Sequence, residues 1–325
     1  MIHVYTLYEK TLVSDITEVC KAVQISGDLT QCARKLTLDM VYTIYDKNQP
    51  RAQMGCGNLI WMVDDVEGEI FRGMVFDREL SGNSEIKVTA YDFLIYLLKS
   101  KSSYNFNQIS PEDITRKVCN DAQISVGNLA PTGIRTNLLA SNRALYEIIM
   151  LGYTQASKLN GRRYIPIMNI DKLNIIEKGQ NSGVTLSTGE NIQAAAYTDS
   201  IGNMINKVRV EDESGNTITY INNSSWIDVF GILQDNYTRE QDKDYKIVAN
   251  NMFHGVDNSI NITILGNYKC RTGYSVKVVI PWLYLTENGA VMYIDSDTHT
   301  WDLASGRYDT ELTLNFANIM DTKEG

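Results

Sequence analysis

The sequence predicts an α+β, mainly β protein in which two strand-rich regions flank a small helix-bearing module. Three observations carry that prediction. Residues 34–42 alternate, with Leu36, Leu38, Met40 and Tyr42 on one face and Lys35, Thr37 and Asp39 on the other. Near the far end, Tyr308, Thr310, Leu312, Leu314 and Phe316 alternate with Asp309, Glu311, Thr313 and Asn315 in the same way. Between these regions, SPEDITRKVCNDA at 110–122 carries the strongest helix start in the chain.

The first region, 1–98, opens on the alternating strand MIHVYTLYEK. Val19, Val23 and Ile25 then run into Ser26-Gly27-Asp28, a tight-turn signal, although the apolar spacing over 11–34 also allows a helix. NLIWMV at 58–63, IFRGMVF at 70–76 and IKVTAY at 86–91 follow, separated by turn-rich stretches, the pattern of a small antiparallel barrel or sandwich. SKSSYN at 100–105 is polar and reads as a domain junction.

In the middle module, 99–180, Ser110 is placed to cap a helix. Pro111 suits its first turn, and Glu112 and Asp113 complement the positive end of the helix dipole. Asp113 stands three residues after Ser110, as in a capping box, and Ile114 and Val118 share one face. A second helix is predicted over 141–156, with Leu145, Ile148, Ile149 and Gly152 as its buried stripe. YIPIMNI at 164–170 and KLNIIEK at 172–178 read as a hairpin.

The last region, 181–325, sets Val208 and Val210 against Lys207, Arg209 and Glu211, then turns at Glu213-Ser214-Gly215-Asn216 into TITYI. A helical insertion at about 222–255 follows. Within it, 224–254 reads as two helices, one around Trp226, Val229, Phe230 and Leu233, the other around Tyr245, Val248, Ala249 and Met252. Strand alternation resumes at Ile260, Ile262 and Ile264, and again at Val276, Val278 and Ile280.

The 325 residues are 43% hydrophobic and 21% charged, a folded composition long enough for two or three domains. Thirty Lys and Arg against 39 Asp and Glu give a net charge of −9, which argues against a dominant grip on nucleic acid. The N-terminus lacks a secretory pattern, and clusters such as FLIYLL at 93–98 are too short to cross a bilayer, so no membrane insertion is expected. Cys20, Cys32, Cys56, Cys119 and Cys270 form no CxxC pair and predict free thiols in a protein made in a reducing cytoplasm.

No GxSxG, HExxH, Walker or EF-hand motif occurs, and Gly55-Cys56-Gly57 lacks the setting of a dinucleotide loop. His3 reads as a structural histidine in the first strand; only it, His254 and His299 could serve a His-dependent device. In DSDTHTW at 295–301, an extended strand would put Asp295, Asp297 and His299 on one face, ~7 Å apart. That row could hold a divalent cation, but the favoured reading is a solvent-facing polar strand face. Trp61, Trp226, Trp282 and Trp301 suit cores or subunit contacts better than a sugar platform, and Arg162-Arg163, Lys99 and Lys101 read as solvated charge. The expected catalytic, cofactor and metal residues are therefore none.

An ordered series of motifs carries a family resemblance. VTAYDFLIYLLKSKSSYNFNQISPEDITRKV at 88–118 resembles the strand-to-helix junction of XkdQ/YqbQ-type tail proteins of PBSX-like prophages. VGNLAPTGI at 126–134, NRALYEIIMLGY at 142–153, GRRYIPI at 161–167, INKVRVED at 205–212, WIDVFGILQ at 226–234 and the closing TELTLNF resemble later stretches of that family in order.

The resemblance implies a baseplate hub of a contractile phage tail or tail-like particle. It implies two tail-tube-like antiparallel β-barrel domains flanking the α+β domain, with the helical insertion in the second barrel. It further implies a trimer in the assembled particle, joining a six-fold tail tube to a three-fold spike. The implied partners are the tail tube protein, the spike protein and other baseplate or LysM-type tail proteins, with DNA or a tape-measure protein passing through the ring. The family supplies no catalytic residues to carry over. The alternative reading is a cell-wall-degrading or glycan-binding tail protein.

Overall fold

The computed structural model describes residues 1–42, 54–82, 84–240 and 244–323. It is mainly β. In the first region β1 (Ile2–Tyr8) pairs with both β2 (Leu12–Asp15) and a later strand, and β3 (Cys20–Asp28) lies beside β4 (Lys35–Val41). The alternative left open over 11–34 resolves to strands around a single 3-10 turn at Thr17–Val19. The region continues through β5 (Leu59–Asp64), the long β6 (Gly68–Ser81) and β7 (Glu85–Tyr91). The alternation in β4 does what the sequence indicates, since Leu36, Leu38 and Met40 are buried with Val23, Ile25, Ile60 and Val88 in one core. Gly73 lets β6 lie close to its neighbour: a Cβ there would sit 2.1 Å from the Tyr91 carbonyl oxygen.

The helix-bearing module begins with α1 (Leu94–Lys99) and β8 (Lys101–Ile109). Residues 101–105 of SKSSYN are therefore strand, not turn. The stretch is polar because Ser103 and Asn105 face outward, while Tyr104 and Phe106 stack on each other, ring centroids 5.1 Å apart, and pack against the module's core. Next come α2 (Pro111–Asp121), β9 (Ser125–Leu129), β10 (Thr136–Ala144), which pairs with β8, and α3 (Leu145–Asn160). Ser110 caps α2 as expected, its Oγ accepting from the Asp113 N–H at 3.1 Å, but that hydroxyl also donates to the Asp113 carboxylate instead of completing a reciprocal box. α3 starts four residues later than predicted because β10 runs through Ala144, and it ends at Gly161, whose φ of 74° only glycine adopts readily. β11 (Tyr164–Asn169) and β12 (Lys172–Glu177) form the expected antiparallel hairpin.

The remaining strands are β13 (Gln180–Ser187), β14 (Ile192–Ser200), β15 (Lys207–Glu211), β16 (Thr217–Asn222), β17 (Gln234–Thr238), β18 (Asp257–Leu265), β19 (Tyr274–Ile280), β20 (Leu285–Asp302) and β21 (Arg307–Asn315). Two helices fall among them, α4 (Ser224–Phe230) and α5 (Tyr245–Asn251). The first predicted insert helix is cut short at Gly231, and Leu233 leads instead into β17, which pairs in parallel with β15.

The chain forms two compact units, 196–260 and the rest. In the smaller unit β16-β15-β17 pack Val208 and Val210 against Ala249 of α5. A 13-stranded sheet joins the first and last regions, because β20 pairs antiparallel with β3, setting Trp301 opposite Val23 and Asp297 opposite Gly27.

Candidate functional site

The most concentrated chemistry lies along this β3–β20 seam. β20 starts its inward row with Met292 and Ile294, and an irregularity between Ile294 and Ser296 then shifts the register against β21. One extra residue changes which side chains face in. Beyond it Asp297, His299 and Trp301 point into the core, whereas Asp295 stays partly exposed and reaches Lys178, Nζ to Oδ1 2.8 Å. The expected solvent-facing row is thus corrected: Asp297 and His299 have no exposed side-chain surface, and the bulge separates Asp295 from them.

Asp297 is held from several sides. The Arg34 guanidinium donates to both carboxylate oxygens, at 3.0 and 2.5 Å. Thr272 adds its backbone N–H at 2.7 Å and its hydroxyl at 2.6 Å, and His299 Nε2 lies 3.1 Å away. Burial alone would raise this carboxyl, but Arg34 and His299 hold it far below the ordinary carboxylate range. Burial pushes the His299 imidazole down despite Asp297, and its Nδ1 meets the Tyr308 hydroxyl at 2.9 Å and Thr310 Oγ1 at 3.1 Å. Gly27 on β3 makes room for the cation, since a Cβ there would come 2.6 Å from Arg34 Nη1.

A second buried carboxylate near Arg34 meets the opposite fate. Burial pushes Asp92 up to about 7, although the Arg34 and Leu94 backbone N–H groups donate to it at 3.1 and 3.0 Å. The guanidinium is committed to Asp297, and among the described residues Asp92 has main-chain donors at hydrogen-bond distance.

This is the chemistry of a lock: ionic and hydrogen-bonded groups, closed off from solvent, joining residues 263 positions apart. Among the described residues no group of three or more His, Cys, Asp or Glu is placed to hold a metal ion. EDTA or added calcium, magnesium or zinc is expected to leave the melting temperature unchanged. A ligand bound only to the native state at a hundred times its Kd would add about 2.7 kcal/mol, so a shift of that size would restore the cation reading.

The other residues singled out in the sequence lie apart. His3 on β1 is 3.4 Å from Asp65, and His254 pairs with Asp257 at 2.6 Å in the smaller unit. Trp61 stacks on Tyr5 at 5.5 Å, Trp282 is exposed in the turn before β20, and Trp301 is buried. Arg162 lies 3.8 Å from Glu177. Sequence reasoning misses Arg34, Thr272 and Asp92, because nothing within the polar run DSDTHTW shows that Asp297 and His299 face inward.

Cys20, Cys32, Cys119 and Cys270 are buried, and burial pushes each thiol up to about 12, whereas Cys56 is exposed. A thiol reagent is expected to titrate Cys56 first in the native protein and all five after unfolding without reductant. A reproducible disulfide in fresh protein would overturn the reducing-compartment reading.

The fold is that of phage tail proteins. The chain is similar to the 43 kDa tail protein of prophage MuSo2 from Shewanella oneidensis, with a TM-score of 0.71 and 15% identity over 97% of each chain. It also resembles the E. coli c3393 protein, described as a type VI secretion component with structural similarity to the T4 tail proteins gp27 and gp5, with a TM-score of 0.53 and 10% identity over 94% of this chain and 76% of that one. The YqbQ-like family matches residues 23–315, and this chain belongs to it. The phage-like element PBSX protein XkdQ of Bacillus subtilis (strain 168) is 28% identical over 244 residues, covering 71% of this chain and 74% of XkdQ. Among the described residues no helix is long and apolar enough to cross a membrane.

Proposed function

We propose that the protein is a non-enzymatic structural hub of a contractile tail baseplate, acting in the virion or a phage tail-like particle. Three copies join a six-fold tail tube above to a three-fold spike below. The observation that carries this reading is the fold shared over nearly the whole chain with a prophage tail protein, together with likeness to a protein itself similar to gp27 and gp5. The sheet shared by the first and last regions supports the mechanism. If 1–98 and 181–325 each correspond to one tube-like subunit, with 99–180 between them, the β3–β20 ladder fuses two neighbouring tube positions in one chain. Three chains then offer six similar positions to the tube while remaining a trimer toward the spike, the closed symmetry such an adapter needs.

The partners in this reading are the tube protein, the spike and other baseplate or LysM-type proteins, with DNA or a tape-measure protein crossing the ring. A cryo-EM map of the intact particle tests it. Three copies per tube end are expected, with 1–98 and 181–325 superposing as related barrels. Six copies per hub, or unrelated folds for the two regions, would sink the adapter mechanism.

A further inference from the structure

The compact unit 196–260 differs from the rest of the chain in two ways at once. It carries ten acidic residues against five basic ones, so a fifth of the sequence holds five of the nine net negative charges. It also leaves unpacked an apolar stripe that its own sequence marks for burial. The spacing of Trp226, Val229, Phe230 and Leu233 is that of a helix face meant to be covered. In the structure α4 has no buried residue. Trp226 meets Phe253 edge-on, with ring centroids 6.5 Å apart. Val229 is 72% exposed, Phe230 37%, and Ile232 in the following turn 60%. Asp228 and Asp235 flank this apolar run in sequence.

We propose that the end of α4 and the turn leading to β17 form a docking surface for a different protein, one that presents Lys or Arg side chains around an apolar patch. Charge selects the occupant. Two copies of this unit would bring like net charges together, and nucleic acid or an anionic membrane would be repelled for the same reason. An apolar run set among carboxylates instead complements a surface that buries the aliphatic and aromatic groups at its centre and pairs its rim with cations. The inference rests on the proposal that the chain is a tail component, and it adds which face of the insert binds and what chemistry its partner shows.

The test uses the full chain and, as probes, each purified structural protein of the same particle in turn, with binding measured by calorimetry at low and high salt. One basic component is expected to bind. Affinity should fall at least tenfold in the double variant Val229→Asp and Ile232→Asp, fall in Asp228→Lys with Asp235→Lys, and weaken at high salt. Val66→Asp, which alters a still more exposed apolar residue in the larger unit, should leave affinity within twofold. Circular dichroism and melting temperature confirm that each variant is folded. The proposal is overturned if no component binds, if the α4 variants bind as the parent does, or if the only occupant is a second copy of the chain or a nucleic acid. The adapter reading fails separately, through the copy number in assembled particles.

Discussion

Asp297→Ala is expected to destabilise the protein by about 3–5 kcal/mol, because it leaves the Arg34 guanidinium buried without a counter-charge. Arg34 is 13% exposed at its side chain and reaches Asp297 through two hydrogen bonds, so little water can take the carboxylate's place. Removing both charges with Arg34→Met and Asp297→Leu should recover most of the loss, since well-packed apolar pairs often match or exceed the ion pair they replace. Urea midpoints at neutral pH measure both effects. The pH dependence carries its own sign. The folded-state pKa of Asp297 is depressed, so its contribution is present above the unfolded carboxylate value near 3.9 and is lost as pH falls through the folded value. The gap between parent and Asp297→Ala should therefore hold from neutral pH to about 5 and narrow in stronger acid. A loss below about 1 kcal/mol at pH 7, the range of an exposed pair, would show that the seam is not the lock described.

Trp301→Ala should cost a similar amount, about 3–5 kcal/mol, by emptying a large buried volume. Trp301 is 6% exposed and lies nearly flat on Tyr308, with ring centroids 4.4 Å apart and planes 14° apart. It also belongs to the core built by the first region, among Val23, Ile25, Leu36 and Leu38. Trp301→Phe keeps part of the stack and should lose clearly less. Asp297 and Trp301 both contact His299, so their combined effect should depart from the sum of the single effects by at least 0.5 kcal/mol, the scale typical of residues in one network. Equal losses for the Phe and Ala variants would show that volume at this position does not govern stability.

The strands most legible in the sequence were those with one wet and one dry face. The alternation at 34–42 and 308–316 maps onto β4 and β21, and the 164–177 hairpin needed only two apolar runs and a short turn. The cap at Ser110 was equally plain because it is a local hydrogen bond. Three things were hidden for physical reasons. SKSSYN belongs to a ribbon whose outer face is polar, so its composition reads as loop while its backbone is strand. The insert helix breaks at Gly231, where φ is 76°. The seam itself depends on a partner 263 residues away and on one extra residue at Asp295, and a periodicity argument within a single strand sees neither.

The β3–β20 ladder also sets an order on synthesis. The edge of β3 that β20 covers becomes available when residue 28 is made, but its partner ends at residue 302. At ribosomal speeds of about 5–20 residues per second, that edge waits on the order of tens of seconds. For that interval the nascent first region presents an open strand flanking an incomplete core, the kind of surface on which neighbouring chains pair. The ribosome-bound fragment ending before β20 is thus the species a trigger factor or holdase must shield, and slowing translation late in the message should lower the yield of soluble protein more than slowing it early.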